Sequence, residues 1–339
     1  MIPLKFQPVF QTRIWGGQRL RKVLAKSPPA NLDGQPVGES WELADLPAGT
    51  VKADSAGAAA DGSLSSLIAN GPLKGKTLAE AIRLHGAAIT GSAPLNHGRF
   101  PLLIKFLDAQ QDLSVQVHPD AAYVAKHPEA HLKSESWYIL HADHGAKVYK
   151  GVKPGVTREV FRAALEKGEV EPLLNAIPVK AGDCHYLASG TVHALGAGIL
   201  AAEVQTPSDT TFRVFDWNRL GPDGKARALH VEQAMDVIDF APVRPTVALA
   251  AGRLVECEFF TLDRRSVASG QEIAIAGGEP LVWIITSGQG VITCDDGGPT
   301  AFTKGDTLLI PAAIKNPKLR PVADTAWLEA AIPTPANAM

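Results

Sequence analysis

Residues 137–151 read WYILHADHGAKVYKG, and residues 283–294 read WIITSGQGVITC. Each stretch opens on a tryptophan, runs as an apolar strand, turns at a glycine and returns as a second strand. A further echo lies downstream, with GDCHYLAS at 182–189 and GDTLLIPA at 305–312. Forty-five residues separate Trp137 from Gly182, but only 22 separate Trp283 from Gly305. The excess of 23 matches the helical stretch near 157–176, TREVFRAALEKGEVEPLLNA. The pattern predicts two copies of one β unit, the first carrying a helix-bearing loop.

The rest of the 339 residues fits that scheme. Thirty-one glycines and 25 prolines punctuate the chain, as many short strands joined by turns require. Helical spacing is expected around 64–90, where LSSLIANG and TLAEAIRLHG occur and Thr77 precedes Glu80 as in a capping box. A short helix is expected at 231–240, and APVRPTV at 241–247 reads as a connector. The predicted division is an N-terminal β segment over 1–98 with the helical insert, a catalytic unit over 99–240 and a second β unit over 241–339.

Composition excludes several functions. The net charge of −2 and pI near 6.6 argue against a nucleic-acid partner. The sequence has no apolar run of about 18 residues, so no membrane partner is expected. The start, MIPLKFQPVF, lacks a secretory pattern. Cys184, Cys257 and Cys294 are widely spaced without a CxxC. They predict a reducing, cytoplasmic setting and exclude a thiolate zinc site.

Seven of the ten histidines lie between 118 and 193. In a strand, Gln116 and His118 project to one face while Val117 points away. Glu135 begins the next strand candidate, and His193 follows the Gly182-Asp183 turn by ten residues. Two groups from one strand, a carboxylate from another and an imidazole from a third suit a borderline divalent metal with an open position. QxH alone is a weak signal, and its placement in this series strengthens it. Aligned on the tryptophan, Glu135 corresponds to Leu281; aligned on the GD turn, His193 corresponds to Asn316. The first copy is therefore expected to hold the site. Lys105 sits inside the apolar run PLLIKFLD, where a buried ammonium needs a partner or an anionic ligand.

These residues carry a resemblance. PLLIKFLDAQQDLSVQVHPD, KSESWYIL, AGDCHYLASGTVHALG and SDTTFRVFDWNR resemble the type I mannose-6-phosphate isomerases of the short bacterial branch, within the cupin superfamily. RIWGG and GESWEL fit that branch too. Specific motifs extend to about residue 235; beyond, the likeness is architectural. The resemblance implies a mostly β fold of two cupin jelly-roll barrels with small helical inserts. It implies Gln116, His118, Glu135 and His193 as ligands of one Zn²⁺ per chain, and Arg213 as the catalytic arginine. It places Ser114, Lys105 and Lys133 at the phosphate and substrate end, and Glu203 and Asp209 near the sugar.

The implied reaction interconverts mannose 6-phosphate and fructose 6-phosphate through an enediol. The substrate is a small sugar phosphate, and the chain is expected to be a monomer or weak homo-oligomer. Arginine stays protonated and acts electrostatically. The general base is left open among Glu203, Asp209, Lys133 and a metal-bound water. A non-catalytic cupin sensor of sugar or metal and an Fe²⁺ cupin oxygenase are the competing readings, because fold alone does not fix function.

Overall fold

The computed structural model describes residues 1–51, 55–221, 224–242 and 249–333. A six-stranded antiparallel sheet runs in the order Cys184–Leu187, Glu135–Ala142, Ile199–Gln205, Leu103–Ala109, Val9–Gly17 and Val37–Leu43. A five-stranded sheet has the order Leu174–Pro178, Lys147–Val152, His193–Leu195, Val115–Val117 and Phe212–Phe215. Trp15, Leu107, Trp137, Ile139, Val148, Leu187, Leu195 and Ala201 form one core between these sheets. The fold is mostly β, as expected.

A second pair follows. Leu4–Lys5, Thr307–Ile310, Leu281–Ser287, Thr325–Ala331, Thr261–Val267 and Arg253–Glu256 form one sheet. Ile273–Ala274, Lys318–Pro321, Gln289–Cys294 and Gly297–Thr303 form the other. The two large sheets share a core on their outer faces. Ile104, Phe106, Leu200 and Val204 pack in one cluster with Leu262, Ile284, Leu309 and Leu328. This accounts for Leu103–Ala109 being buried at every residue: one face meets the other sheet pair and the other lines the barrel. The segment 1–98 serves both pairs, because Leu4 pairs with Leu309 while Glu39 pairs with Leu107.

The helical expectations divide. Leu78–His85 is a helix with the full capping box: Glu80 N–H donates to Thr77 Oγ1 (3.1 Å) and Thr77 N–H to Glu80 Oε2 (2.7 Å). LSSLIANG is not helical. Leu64–Ser65 pairs with Asp45–Leu46, and the Ser65 and Ser66 hydroxyls accept from Ala79 N–H and Ala44 N–H. Serine side chains that bind neighbouring backbone compete with helix, and so short a run cannot offset helix nucleation. The stretch 157–176 forms a helix only over Arg158–Lys167, then a 3₁₀ turn and the strand Leu174–Pro178. Val231–Val237 is helical. Phe161 and Met235 from these helices cover the outer face of the five-stranded sheet, packing with Val115, Val117, Ala194 and Val214. From residue 243 on, the expected connector at 241–247 lies outside the described residues.

Candidate metal centre

Strand register builds the site. His193 pairs with Gln116 on one side and with Lys150 on the other, and Gln116 also pairs with Arg213. Directly paired residues share a face. Lys150, His193, Gln116 and Arg213 thus form one row across four strands, facing the barrel interior. Their neighbours Tyr149, Ala194, Val115 and Val214 point to the helices instead. The facing sheet contributes two rows. Leu187, Glu135 and Gln205 form one, while His185, Trp137, Glu203 and Lys105 form the next.

His118, Glu135 and His193 converge so that one donor atom from each lies within 4.8 Å of the others. His118 Nε2 is 3.3 Å from Glu135 Oε2, and His193 Nε2 is 3.2 Å from Oε1. Gln116 Nε2 lies 3.4 Å from His193 Nε2. Each imidazole has its Nδ1 at a backbone carbonyl, Thr210 O for His118 (3.0 Å) and Thr191 O for His193 (2.7 Å). A proton on each Nδ1 frees both Nε2 lone pairs, the tautomer that metal-binding histidines adopt. Both Glu135 oxygens are buried and meet no donor at regular hydrogen-bond geometry, although Lys133 Nζ lies 2.5 Å from Oε2. A buried carboxylate between two oriented imidazoles fits a divalent cation.

The local charges answer one another. Burial alone would raise the Glu135 carboxyl, but the Lys133 charge and the imidazoles hold it well below the usual carboxylate range. Burial, then the Lys133 charge, push His118 down to about 3, so its imidazole is neutral at pH 7. Lys133 Nζ is also 3.1 Å from His118 Nε2, which puts its ammonium among the ligand atoms.

The remaining expected residues surround this cluster. Glu203 accepts a hydrogen bond from Trp137 Nε1 (2.8 Å) and lies 3.6 Å from Lys105 Nζ. Burial, then the Glu135 charge, raise the Glu203 carboxyl. Asp209 is 4.0 Å from the same Lys105 ammonium and is raised by burial. Lys105 also lies 4.5 Å from the Trp41 ring centroid. Arg213 donates to Ala228 O (2.9 Å), and its Nε is buried without a hydrogen-bond partner. Ser114 is buried, two residues before Gln116.

Comparison with known proteins supplies the family. A model of the phosphomannose isomerase type I catalytic domain matches residues 3–146. The mannose-6-phosphate isomerase of Streptococcus mutans is 37% identical over 321 residues, covering 93% of this chain and 94% of the relative. The chain belongs to the type I phosphomannose isomerase family. Members of this family are aldose–ketose isomerases on a cupin fold. The crystal structure of the mannose 6-phosphate isomerase of Bacillus subtilis superposes with a TM-score of 0.83 at 30% identity, covering 98% of this chain and all of that one. A mannose 6-phosphate isomerase bound with zinc and yttrium shares the fold (TM-score 0.70, 18% identity, 98% of this chain and all of that one).

Several neighbours of the site escaped the sequence reading. Trp137 stacks edge-on against His193, with ring centroids 5.3 Å apart, while holding Glu203. Asp216 binds Arg219 (2.7 Å) and Arg227 (2.6 Å) just beyond the Arg213 strand. Lys150 and His185 enter the barrel through register alone. Trp137 was visible as a repeat landmark; Lys150, His185, Asp216 and Arg219 lie inside the quoted stretches but were not singled out as site residues.

Proposed function

We propose that this protein is a zinc-dependent isomerase that interconverts D-mannose 6-phosphate and D-fructose 6-phosphate. The observation that carries the reading is the buried His118–Glu135–His193 cluster beside Glu203, Lys105, Asp209 and Arg213, in a chain of this family. Gln116, His118, Glu135 and His193 would hold one Zn²⁺. When bound, the ion supplies Lewis-acid polarisation of the sugar oxygens.

The chain's own groups supply the rest. One proton must leave carbon 2 of the aldose and arrive at carbon 1 of the ketose, by way of an enediol. Glu203 is proposed as the carrier, because its carboxyl, raised by burial and then by the Glu135 charge, stands beside the cluster. Trp137 Nε1 fixes one of its oxygens. Asp209, raised by burial, is the alternative carrier. Arg213 adds a fixed positive charge for developing oxyanion character, an effect worth about 3–4 kcal/mol per donor. The charges of Lys105 and Lys133 are matched by Glu203, Asp209 and Glu135. With Ser114 they are proposed to donate hydrogen bonds to the substrate.

We also propose one metal-binding cupin unit over 99–240 and a second over 241–339, with 1–98 lending strands to both. The three cysteines are unpaired, which supports a reducing, cytoplasmic location. A coupled assay with mannose 6-phosphate tests the activity, with and without chelator. Turnover lost on chelation and restored by Zn²⁺ is expected. No turnover in zinc-loaded protein overturns the reading.

A further inference from the structure

The cations proposed to meet substrate are held in different ways. Lys105 has Glu203 and Asp209, and Lys133 has Glu135. Arg213 has no carboxylate of its own among the described residues, because Asp216, three residues on, is taken by Arg219 and Arg227. Burial and then the Arg227 charge both disfavour a cation at Arg213. Its strand, Phe212–Phe215, is also the edge of the five-stranded sheet, and its pairing with Val115–Val117 shifts register between Arg213 and Phe215. A long cationic side chain on an edge strand turns its head to water unless something fixes it.

The segment 228–230 fixes it at both ends. His230 N–H donates to Arg213 O (2.7 Å), and Arg213 N–H donates to His230 Nδ1 (3.3 Å). One residue thus takes the place of a further strand at the sheet edge, where backbone groups need partners. The Arg213 guanidinium donates to Ala228 O at 2.9 Å. The segment is anchored in turn. Arg227 binds Asp216 just before it, and the helix Val231–Val237 follows, with Ala234, Met235 and Val237 buried against the sheet.

His230 is the N-cap residue of that helix, but its side chain makes no capping bond. A serine, threonine, asparagine or aspartate would serve the helix better. The imidazole is turned to the strand instead, with its ring centroid 6.3 Å from that of Phe212. Accepting the Arg213 amide requires an Nδ1 without a proton. The residue at this position therefore suits the arginine rather than the helix it opens.

We propose that His230 is a positioning residue for Arg213: its Nδ1 and its backbone N–H lock the edge strand, so that the guanidinium tied to Ala228 O keeps its place in the interior row beside Gln116. The inference rests on the proposed isomerase reading for the role of Arg213. A fixed charge that answers developing oxyanion character acts on the transition state, so misplacing it lowers kcat more than it raises KM.

The test uses zinc-loaded full-length protein. His230→Ala is expected to lower kcat for mannose 6-phosphate about tenfold, with KM little changed and zinc content preserved. His230→Asn, whose Oδ1 stands where Nδ1 does, should recover most of kcat, and His230→Leu should recover none. Added to Arg213→Ala, His230→Ala should cost nothing further, because the side chain it positions is gone. A histidine that only supports the fold would cost the same in both backgrounds. Wild-type kcat in His230→Ala, or an equal loss in the Arg213→Ala background, overturns the inference. An inactive wild type is a separate outcome: it sinks the isomerase reading and the role of Arg213 with it. Should His230→Ala not fold, the ¹⁵N shift of His230 Nδ1 in wild-type protein at neutral pH decides. An unprotonated Nδ1 coupled across the hydrogen bond to the Arg213 amide supports the inference, and a protonated Nδ1 overturns it.

Discussion

The two sheet pairs share a frame and differ in what fills it. Trp137 donates to Glu203 at 2.8 Å, and Trp283 donates to Glu329 at 2.9 Å; each Trp and Glu also face one another in register. Gly182 N–H binds Ile139 O and Ile139 N–H binds Asp183 O, while Gly305 N–H binds Ile285 O and Ile285 N–H binds Asp306 O. Both turn glycines have left-handed φ, +97° and +89°, a conformation glycine adopts without steric cost. On this common frame, Glu135 is matched by Leu281 and His185 by Leu308. Ala201, opposite Ile139, is matched by Trp327, opposite Ile285. Trp327 packs on Trp283 with centroids 4.6 Å apart. The small residue leaves the first barrel room for a polar site, and the indole closes the second.

The row that holds the candidate ligands makes the same point. Gln116, His193 and Lys150 face the first interior, whereas Ile273, Leu319 and Ile292 form the row on the second small sheet. Asn316, the residue that sequence counting sets against His193, lies in the turn before Lys318–Pro321 with φ +47° and binds Asp295. The second barrel has the same turn but carries apolar side chains where the first has candidate ligands.

If the first barrel alone does chemistry, Glu135→Gln should abolish zinc retention and lower kcat/KM by roughly a hundredfold or more, read by metal analysis and the coupled assay. Full zinc content in that variant would break the contrast. Trp327→Ala should open a cavity in the second barrel and cost about 3–5 kcal/mol in denaturant unfolding, with zinc content preserved. Loss of zinc there would show that the barrels are coupled through the core their outer faces share.

Acid should sharpen the contrast further, through Glu39 on the catalytic sheet. Burial opposes its ionisation, but Arg13, Lys105 and the Trp41 N–H outweigh it and lower the carboxyl from 4.5 to about 2. A lowered carboxyl contributes stability that is present above its unfolded value and lost as pH falls through the folded one. Glu39→Gln should remove about 3 kcal/mol of pH dependence between roughly pH 4.5 and 2. Unfolding curves at several acid pH values check this; parallel wild-type and variant profiles would contradict it.

Much of this was legible in the chain. The repeated Trp and GD landmarks marked the strand–turn units, and QxH, the strand-initial Glu135 and the late His193 marked the residues that the fold brings together. LSSLIANG misled because apolar spacing over eight residues cannot distinguish a weak helix from an edge strand held by serine hydroxyls. Lys150 and His185 were invisible for a different reason. Both lie inside stretches that mark the repeat, WYILHADHGAKVYKG and GDCHYLAS, but which face a strand residue presents is fixed by its register with neighbours far along the chain.

The sequence by itself determined the secondary-structure period, the turn positions and the candidate metal donors, because these rest on local side-chain chemistry. Only the tertiary structure decided which donors meet, which lysines are already matched by carboxylates, and which barrel stays open. Those depend on cross-strand register and on the volume of one facing residue, alanine at 201 or tryptophan at 327, and packing sets that volume between strands distant in the chain.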